Sequence, residues 1–398
     1  MNILFACGGT AGHINPALAI ASKFNRSIPD SKILFVGTGR VLEKTLIPQA
    51  GYQLVNIKMT GLRRGFAPKD IIYNIKTAIN IITASHKTSK LIKEFKPSVV
   101  VGTGGYICYP VLRTAAKHKI PTVIHESNAV PGKTTKILSS IVDKVLVSFP
   151  NQEKLYKRPE RVVLTGTPIR EEFKSNLISD SSFKKSANSL VVSFWGSLGA
   201  ERMNEVIAEV IKCNIDSMSS NNGLSYARER GFDHVHAAGK KDGVADIKKR
   251  LSDIGVKNPA ELPPGIEIRE YIEDMPALMA AADLVICRGG GSTVAELMEM
   301  SKPCIIIPSP YVANNEQEYN AQILKKADGA IVLDEKKCTG KELFDTITAL
   351  ISDKGKLDKM SENLKKITVP NATENVVKII LSLCIDSEQS AANKKRRA

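Results

Sequence analysis

Short apolar runs recur along the chain, separated by longer segments in which apolar residues return every three or four positions. The runs "NILFAC", "KILFVG", "SVVVGTG", "TVIHE" and "KVLVS" are brief, rich in β-branched residues and bounded by glycine or polar residues, which predicts strands. Between them, Pro16 to Phe24 and Thr83 to Phe95 carry the spacing of amphipathic helices. Strand alternating with helix predicts a parallel sheet covered by helices on both faces. A polar stretch, "KSNLISDSSFKKSANS", follows Arg170 closely and reads as a linker or loop. The pattern then restarts with "LVVSFW" and a helix presenting Met203, Val206, Ile207, Val210 and Ile211 on one face, followed by "HVHAAG", "IEIREY", "ADLVICR", "CIIIPSP" and "AIVLD". The predicted fold is therefore α/β, with two Rossmann-like domains in succession. The segment near 215–232 reads as a loop insertion, and residues 386–398, "DSEQSAANKKRRA", as a disordered basic tail.

Composition changes this picture little. A chain of 398 residues exceeds a typical single core, which agrees with two domains. The seven cysteines show no CxxC or metal-finger spacing and read as reduced, buried thiols. No stretch approaches the ~20 apolar residues of a membrane span, and the N-terminus lacks a signal-peptide pattern. Charge adds more: 56 basic against 41 acidic residues give +15, a balance suited to nucleic acid, an anionic membrane surface or phosphorylated substrates. With 5% aromatics and no RNP, zinc-finger or helix-turn-helix pattern, no nucleic acid is expected. A solvated basic surface accounts for the excess equally well.

Candidate chemistry starts at Gly8-Gly9-Thr10-Ala11-Gly12-His13, a glycine cluster between the first strand and a helix. A dinucleotide site needs G-x-G-x-x-G there and an acidic residue closing the second strand, which instead ends on Gly39-Arg40. A P-loop needs a G-K-S/T that is absent. Three further glycine turns follow strands: Gly102-Thr103-Gly104-Gly105-Tyr106, Gly196-Ser197-Leu198-Gly199-Ala200 and Arg288-Gly289-Gly290-Gly291-Ser292. One such turn is often only a steric necessity. Four of them suit a diphosphate, whose charge helix N-termini and bare amides can hold. No DxD-like pair stands beside them, so neither a metal nor a cofactor is expected.

The ordered series "GGTAGHINPALA", "GTGGYICYPV", "HESNAVPGKTTKIL", "GTPIREEF", "GSLGAERMN" and "RGGGSTVAEL…NNEQEYNA" resembles the motifs of the MurG family, collinear from residue 2 to about 385. The resemblance implies a GT-B fold, two Rossmann-like domains facing a cleft. Residues 1–169 would bind acceptor and membrane and 170–366 UDP-GlcNAc, with a terminal helix at about 367–385 returning to the first domain. It implies inverting transfer of N-acetylglucosamine from UDP-GlcNAc to the 4-hydroxyl of MurNAc in undecaprenyl-diphospho-MurNAc-pentapeptide (lipid I), forming lipid II. A related enzyme acting on another lipid acceptor, such as diacylglycerol, is the alternative. The expected location is peripheral, at the cytoplasmic face of a bacterial cell membrane.

Residue roles follow from the same resemblance. His13 stands where a base would take the acceptor's proton, and imidazole, titrating near ~6.5, suits that task; a helix-capping or phosphate-binding histidine is the other reading. Glu296 falls where the family's glutamate holds both ribose hydroxyls, but Thr293-Val294-Ala295-Glu296 is also a ready capping box. The UDP-GlcNAc set comprises Thr10, Ala11, Gly12, Asn128, Arg170, Ser197, Ile272, Gly291, Ser292, Thr293, Val294, Ala295, Glu296 and Gln317. Ile272 would act through its backbone, and Arg170 reads equally as a linker ion pair. Gly9, Gly104, Gly105 and Tyr106 would form acceptor or diphosphate loops. Two departures are Leu198, where relatives carry glutamine, and Trp195, where they carry a small residue.

One stretch has two readings. Ile71, Ile75, Ile79 and Ile82 share a helical face in a basic segment containing Arg63, Arg64, Lys69 and Lys76. Such a stripe packs into a core, or it dips into a membrane whose anionic headgroups meet the cations.

Overall fold

The computed structural model describes residues 1–61, 63, 65, 67–174, 183, 186–196, 198–219, 231–239 and 242–397, side chains at 313, 388 and 390–397 excepted. Two compact units divide the chain: Met1–Arg170 with Val369–Ala398, and Glu171–Thr368.

In the first unit, β1 (Asn2–Cys7), β2 (Lys32–Gly37), β3 (Gln53–Asn56), β4 (Val99–Gly104), β5 (Thr122–Glu126), β6 (Lys144–Val147) and β7 (Val162–Leu164) form one sheet in the order β3-β2-β1-β4-β5-β6-β7. All its pairs are parallel. Between the strands run α1 (Ala11–Ser27), α2 (Val41–Gln49), α3 (Pro68–Phe95), α4 (Cys108–Lys117) and α5 (Lys133–Leu138). In the second unit, β8 (Leu190–Phe194), β9 (Asp233–Ala237), β10 (Ile266–Arg269), β11 (Leu284–Cys287), β12 (Cys304–Ile306) and β13 (Ala330–Val332) order as β10-β9-β8-β11-β12-β13, again all parallel. Its helices are α6 (Glu201–Ser219), α7 (Gly243–Asp253), α8 (Met275–Ala281), α9 (Gly291–Glu299), α10 (Glu316–Lys326), α11 (Gly340–Ile351) and α12 (Lys354–Ile367). The last helix, α13 (Ala372–Arg397), belongs to the first unit.

The period of two along β1 explains the layering. Leu4 and Ala6 face a core shared with Ala84 and Ile92 of α3 and with Val111, Leu112 and Ala115 of α4. Ile3, Phe5 and Cys7 face the opposite core, which takes Ile14, Ala17, Ile20 and Phe24 of α1 and Val376, Val377, Ile380 and Cys384 of α13. Phe5 and Phe35 stack there at 5.0 Å. In the second unit the predicted stripe Met203, Val206, Ile207, Val210 and Ile211 is wholly buried.

The strand order reverses once in each sheet, between β1 and β4 and between β8 and β11. Open parallel sheets bind ligands beyond the carboxyl ends of the strands at such switch points. All four predicted glycine loops leave these strands: Gly8–Gly9 after β1, Gly104–Gly105 at the end of β4, Gly196–Gly199 after β8 and Gly289–Gly291 after β11.

Several boundaries differ from the sequence reading. α1 starts at Ala11 rather than near Pro16, because the last strained loop residue is Gly9 (φ +97°) and Thr10 is already the extended cap. α3 starts at Pro68, where proline at the helix start needs no amide partner. α6 runs to Ser219, through the beginning of the segment read as an insertion; residues 220–230 lie outside the described residues. α13 continues to Arg397 instead of giving way to a disordered tail over 386–398. Its Glu-Gln and Ala-Ala pairs favour helix. In the linker, Phe183 is buried and Ser186 donates from N and Oγ to Asp233 at 2.7 and 2.9 Å; residues 175–182, 184 and 185 lie outside the described residues.

Candidate active site

His13 occupies the first turn of α1, beside the loops that follow β1 and β4. Its Nδ1 lies 2.8 Å from the Gly8 carbonyl, which can only accept, so Nδ1 carries a proton and, in the neutral ring, Nε2 holds the lone pair. The ring lies against Gly104, where a Cβ would come within 2.3 Å of His13 Cδ2 and 2.7 Å of Nε2. Gly104 (φ +125°) and Gly105 (φ +89°) adopt backbone conformations that favour glycine, and a Cβ on Gly105 would meet the Gly8 oxygen at 2.4 Å. The register shift between β1 and β4, where Ala6 pairs with Gly102 but Cys7 with Gly104, leaves Thr103 unpaired in the ladder. Its hydroxyl then donates to the His13 carbonyl at 2.7 Å. The predicted residues His13, Gly9, Gly104 and Gly105 are thus brought together, and the Tyr106 ring lies on Gly61, half exposed. Thr10 is exposed, while Ala11 and Gly12 are half-buried.

Gly9 has a different task from the one expected. Its amide donates to Glu43 Oε1 at 2.9 Å rather than facing a ligand anion. Glu43, fully buried, also accepts from Thr38 Oγ1 (2.8 Å), Gly39 N (2.7 Å) and Arg40 N (3.2 Å). The sequence reading passed over Glu43 because it looked for an acid at the end of β2; the residue sits in the first turn of α2, where a side chain reaches back to the cap.

A second buried carboxylate holds the "HESNAVPG" loop. Glu126 Oε1 accepts from Asn128 N (3.2 Å) and Nδ2 (3.0 Å), and Oε2 from Gly132 N (3.0 Å). Gln152 closes the loop from outside by donating to the Asn128 and Ala129 carbonyls at 2.8 and 3.0 Å. His125 beside it is structural: it bonds the Gly166 carbonyl at 3.0 Å, and burial pushes its pKa down to about 4. Arg170, half-buried, ends the first unit.

In the second unit α9 begins at Gly291 with Gly290 as its cap. Glu296 is therefore six positions inside the helix, not three, and the capping box formed with Thr293 does not exist. Gly291, Ser292, Thr293, Val294 and Ala295 make up the first turn and the residue after it, with no acidic side chain to oppose the helix dipole. α10 buttresses this loop: a Cβ on Gly289 would meet the Gln317 carbonyl at 2.3 Å, and buried Asn320 donates to the Gly289 oxygen at 2.9 Å. Gln317 Oε1 accepts from Ser309 N at 2.9 Å, which fixes the side chain's orientation. Arg288 pairs with Glu335 at 2.6 Å and sits 5.5 Å from the Trp195 ring centre, so the tryptophan packs under a partly buried guanidinium.

Gly199 and Gly239 meet backbone to backbone, since a Cβ on Gly199 would fall 2.2 Å from the Ala238 oxygen. Gly239 N also bonds the Glu270 carbonyl at 3.0 Å, which joins the β8 loop to the segment carrying Ile272. The Ile272 side chain is buried, leaving only its backbone for a ligand. Ser197 lies outside the described residues, and Leu198 is exposed. His234 and His236 form a buried chain through Ser193 Oγ at 2.8 and 2.7 Å, ending on Asn204 at 3.3 Å. Burial lowers both pKa values, that of His234 to about 4. Among the described residues no cluster of three or more His, Cys, Asp or Glu is placed to hold a metal ion.

The isoleucine stripe of α3 faces outward. Ile71, Ile75, Ile79 and Ile82 are 51–71% exposed, and Ile72 joins them, whereas the opposite face buries Thr77, Ala84, Thr88 and Ile92. Between Ile71 and Thr88 the buried residues are small or polar and the exposed aliphatics are large, the reverse of a helix serving only a core, while Ile92 packs into the core farther along. Arg63 stacks on Tyr73 at 4.1 Å and pairs with Asp70 at 3.4 Å; Lys69 and Lys76 are exposed, and Arg64 lies outside the described residues. No helix of the described residues is long and apolar enough to cross a membrane.

The chain matches the glycosyltransferase family 28 N-terminal domain over residues 3–147 and the C-terminal domain of the same family over 190–376. It is 41% identical to the UDP-N-acetylglucosamine--N-acetylmuramyl-(pentapeptide) pyrophosphoryl-undecaprenol N-acetylglucosamine transferase of Acetivibrio thermocellus, covering 96% of this chain and 97% of that one. The enzyme of the same name from Caldanaerobacter subterraneus subsp. tengcongensis is 38% identical over 96% of this chain and 100% of its own length. Among solved structures, MurG of Acinetobacter baumannii superposes with a TM-score of 0.70 at 25% identity, covering 96% and 100% of the two chains.

Proposed function

Because the chain belongs to glycosyltransferase family 28, we propose that it transfers N-acetylglucosamine from UDP-GlcNAc to the MurNAc 4-hydroxyl of undecaprenyl-diphospho-MurNAc-pentapeptide, forming lipid II. The observation that carries the chemistry is the placement of His13, with Nδ1 committed to the Gly8 carbonyl and Nε2 left as the proton acceptor. Nε2 takes the 4-hydroxyl proton as that oxygen attacks the anomeric carbon. The bond from C1 to the β-phosphate oxygen breaks with its electron pair on UDP, and one displacement inverts the anomeric centre. The fold supports a division of labour, with the acceptor on the first unit and UDP-GlcNAc on the second. There the first turn of α9 stabilises the diphosphate, Glu296 accepts from the ribose hydroxyls, the Ile272 backbone reads the base and Gln317 contacts the sugar. Asn128 and Arg170 complete the donor contacts from the first unit.

The acceptor is a lipid, and the outward isoleucines of α3 with Lys69 and Lys76 fit an anionic membrane surface. The protein accordingly works as a peripheral enzyme at the cytoplasmic face of the membrane. Offering radiolabelled UDP-GlcNAc with lipid I or with diacylglycerol tests the assignment. Label should enter lipid I alone; transfer to diacylglycerol, or none to lipid I, overturns it.

A further inference from the structure

The Gly8 carbonyl and the Gly9 amide are two edges of one peptide group, planar and rigid. On one edge the oxygen accepts from His13 Nδ1 at 2.8 Å. On the other the N–H donates to Glu43 Oε1 at 2.9 Å. Carboxylate, peptide and imidazole therefore stand in a row of hydrogen bonds that all run in one direction, ending on the lone pair of His13 Nε2. We propose that Glu43 is the positioning residue of this enzyme, acting on His13 through the Gly8–Gly9 peptide as an orienting carboxylate acts directly on a catalytic histidine elsewhere.

Three features support the assignment. First, the carboxylate is fully buried and all four of its partners are donors: Gly9 N, Thr38 Oγ1, Gly39 N and Arg40 N. Its oxygens have no role left except to accept, so the peptide cannot flip without leaving Gly9 N–H unpaired against a buried charge-bearing group. Second, the site is shaped around the carboxylate: a Cβ on Gly8 or on Gly37 would come within 2.7 Å of a Glu43 oxygen. Third, the chain opposite leaves space for this peptide: a Cβ on Gly105 would meet the Gly8 oxygen at 2.4 Å, so glycine there lets the carbonyl stand where His13 reaches it. A chain of aligned hydrogen bonds polarises each member. Glu43 thus both fixes the Nδ1–H tautomer and strengthens the carbonyl that holds it.

This inference rests on His13 as the base, so its test separates the two. Glu43→Gln keeps the shape but sets a donor against Gly9 N–H or against the Gly39 and Arg40 amides. Expected are a kcat lower by about 10- to 100-fold, the scale for losing a partner that orients a reacting group, an unchanged KM for UDP-GlcNAc, and loss of the single Nδ1–H tautomer. The tautomer is read from ¹⁵N shifts of the His13 ring, assigned with His13→Ala. Thr38→Val, which removes one donor but keeps the carboxylate, should retain tautomer and kcat and so controls for loop damage. A Glu43→Gln protein with the Nδ1–H tautomer intact, or equal kcat losses in Glu43→Gln and Thr38→Val, overturns the relay. If instead His13→Ala keeps its kcat, the base assignment fails, and the tautomer measurement still decides whether Glu43 orients the ring.

Discussion

Replacing Ile75 and Ile79 by serine tests the proposed membrane contribution of α3 separately from its folding contribution. Both residues are a little over half exposed, at 56% and 54%, and so at most that fraction of each side chain remains to be buried on docking. Full burial of an aliphatic side chain contributes about 1.5–3 kcal/mol, which scales here to about 0.8–1.7 kcal/mol each. The pair then accounts for about 1.6–3.4 kcal/mol, a vesicle affinity weaker by about 15- to 300-fold. Folding should be nearly indifferent, since the buried face of α3 is carried by Thr77, Ala84, Thr88 and Ile92 and serine matches isoleucine in helix propensity. Sedimentation with phosphatidylglycerol-containing vesicles measures the first quantity and thermal unfolding the second. Activity should fall on vesicle-bound acceptor and persist on a short-chain, water-soluble analogue. Equal loss on both acceptors with a lowered Tm, or undiminished vesicle binding, would refute the docking face.

Three further outcomes are expected. Glu296→Gln should weaken UDP binding by about 1.5–3 kcal/mol through loss of charge-assisted bonds to the ribose; titration calorimetry showing an unchanged Kd would remove Glu296 from the donor site. Gly104→Ala places a methyl where the His13 ring lies, within 2.3 Å of Cδ2. Displacing the ring by about 1 Å should lower kcat ~10²-fold or more while UDP affinity stays, and an unaffected kcat would mean that the ring does not act from this position. His125 and His234 are held neutral by burial, with pKa values lowered from 6.5 to about 4. The unfolded chain binds the extra protons first, so their share of stability is complete above about pH 6.5 and is lost as pH falls towards 4; a Tm flat across that interval contradicts the buried placement.

What the sequence made legible was whatever repeats along the chain. Strand and helix periods place β1, β4, β8 and β11, and with them the four glycine loops at the two switch points. Tertiary partners left no such trace. Glu43 is 34 positions from the amide it holds, and its one local signal was an acid in the first turn of a helix. Glu335 is 47 positions from Arg288, and nothing near Trp195 announces the guanidinium above it. The capping reading of Glu296 failed for a related reason: a capping box is defined by where the helix starts, and Gly290 shifted that start upstream of Thr293. The isoleucine stripe was ambiguous because periodicity finds a face without telling which side of it is wet. The buried threonines and alanine opposite resolve that.

The glycine loops look alike in sequence, yet the groups that hold them differ in sign, and this separates their tasks. In the first unit the loop amides are taken by carboxylates: Gly9 and Gly39 by Glu43, Asn128 and Gly132 by Glu126. A buried negative charge behind a loop, already using its N–H groups, is a poor cradle for a diphosphate and a good frame for a neutral hydroxyl and a base. In the second unit the loops are held by neutral side-chain amides that donate to carbonyls, Asn320 to Gly289 and Asn204 to Ala238. Those contacts use no loop amide and bring no negative charge, and α9 opens without an acidic residue in its first turn. Anion binding depends on backbone N–H groups and an uncompensated helix dipole. This contrast supports the proposal that the second unit takes UDP, while the Gly8–Gly9 peptide is engaged by His13 and Glu43.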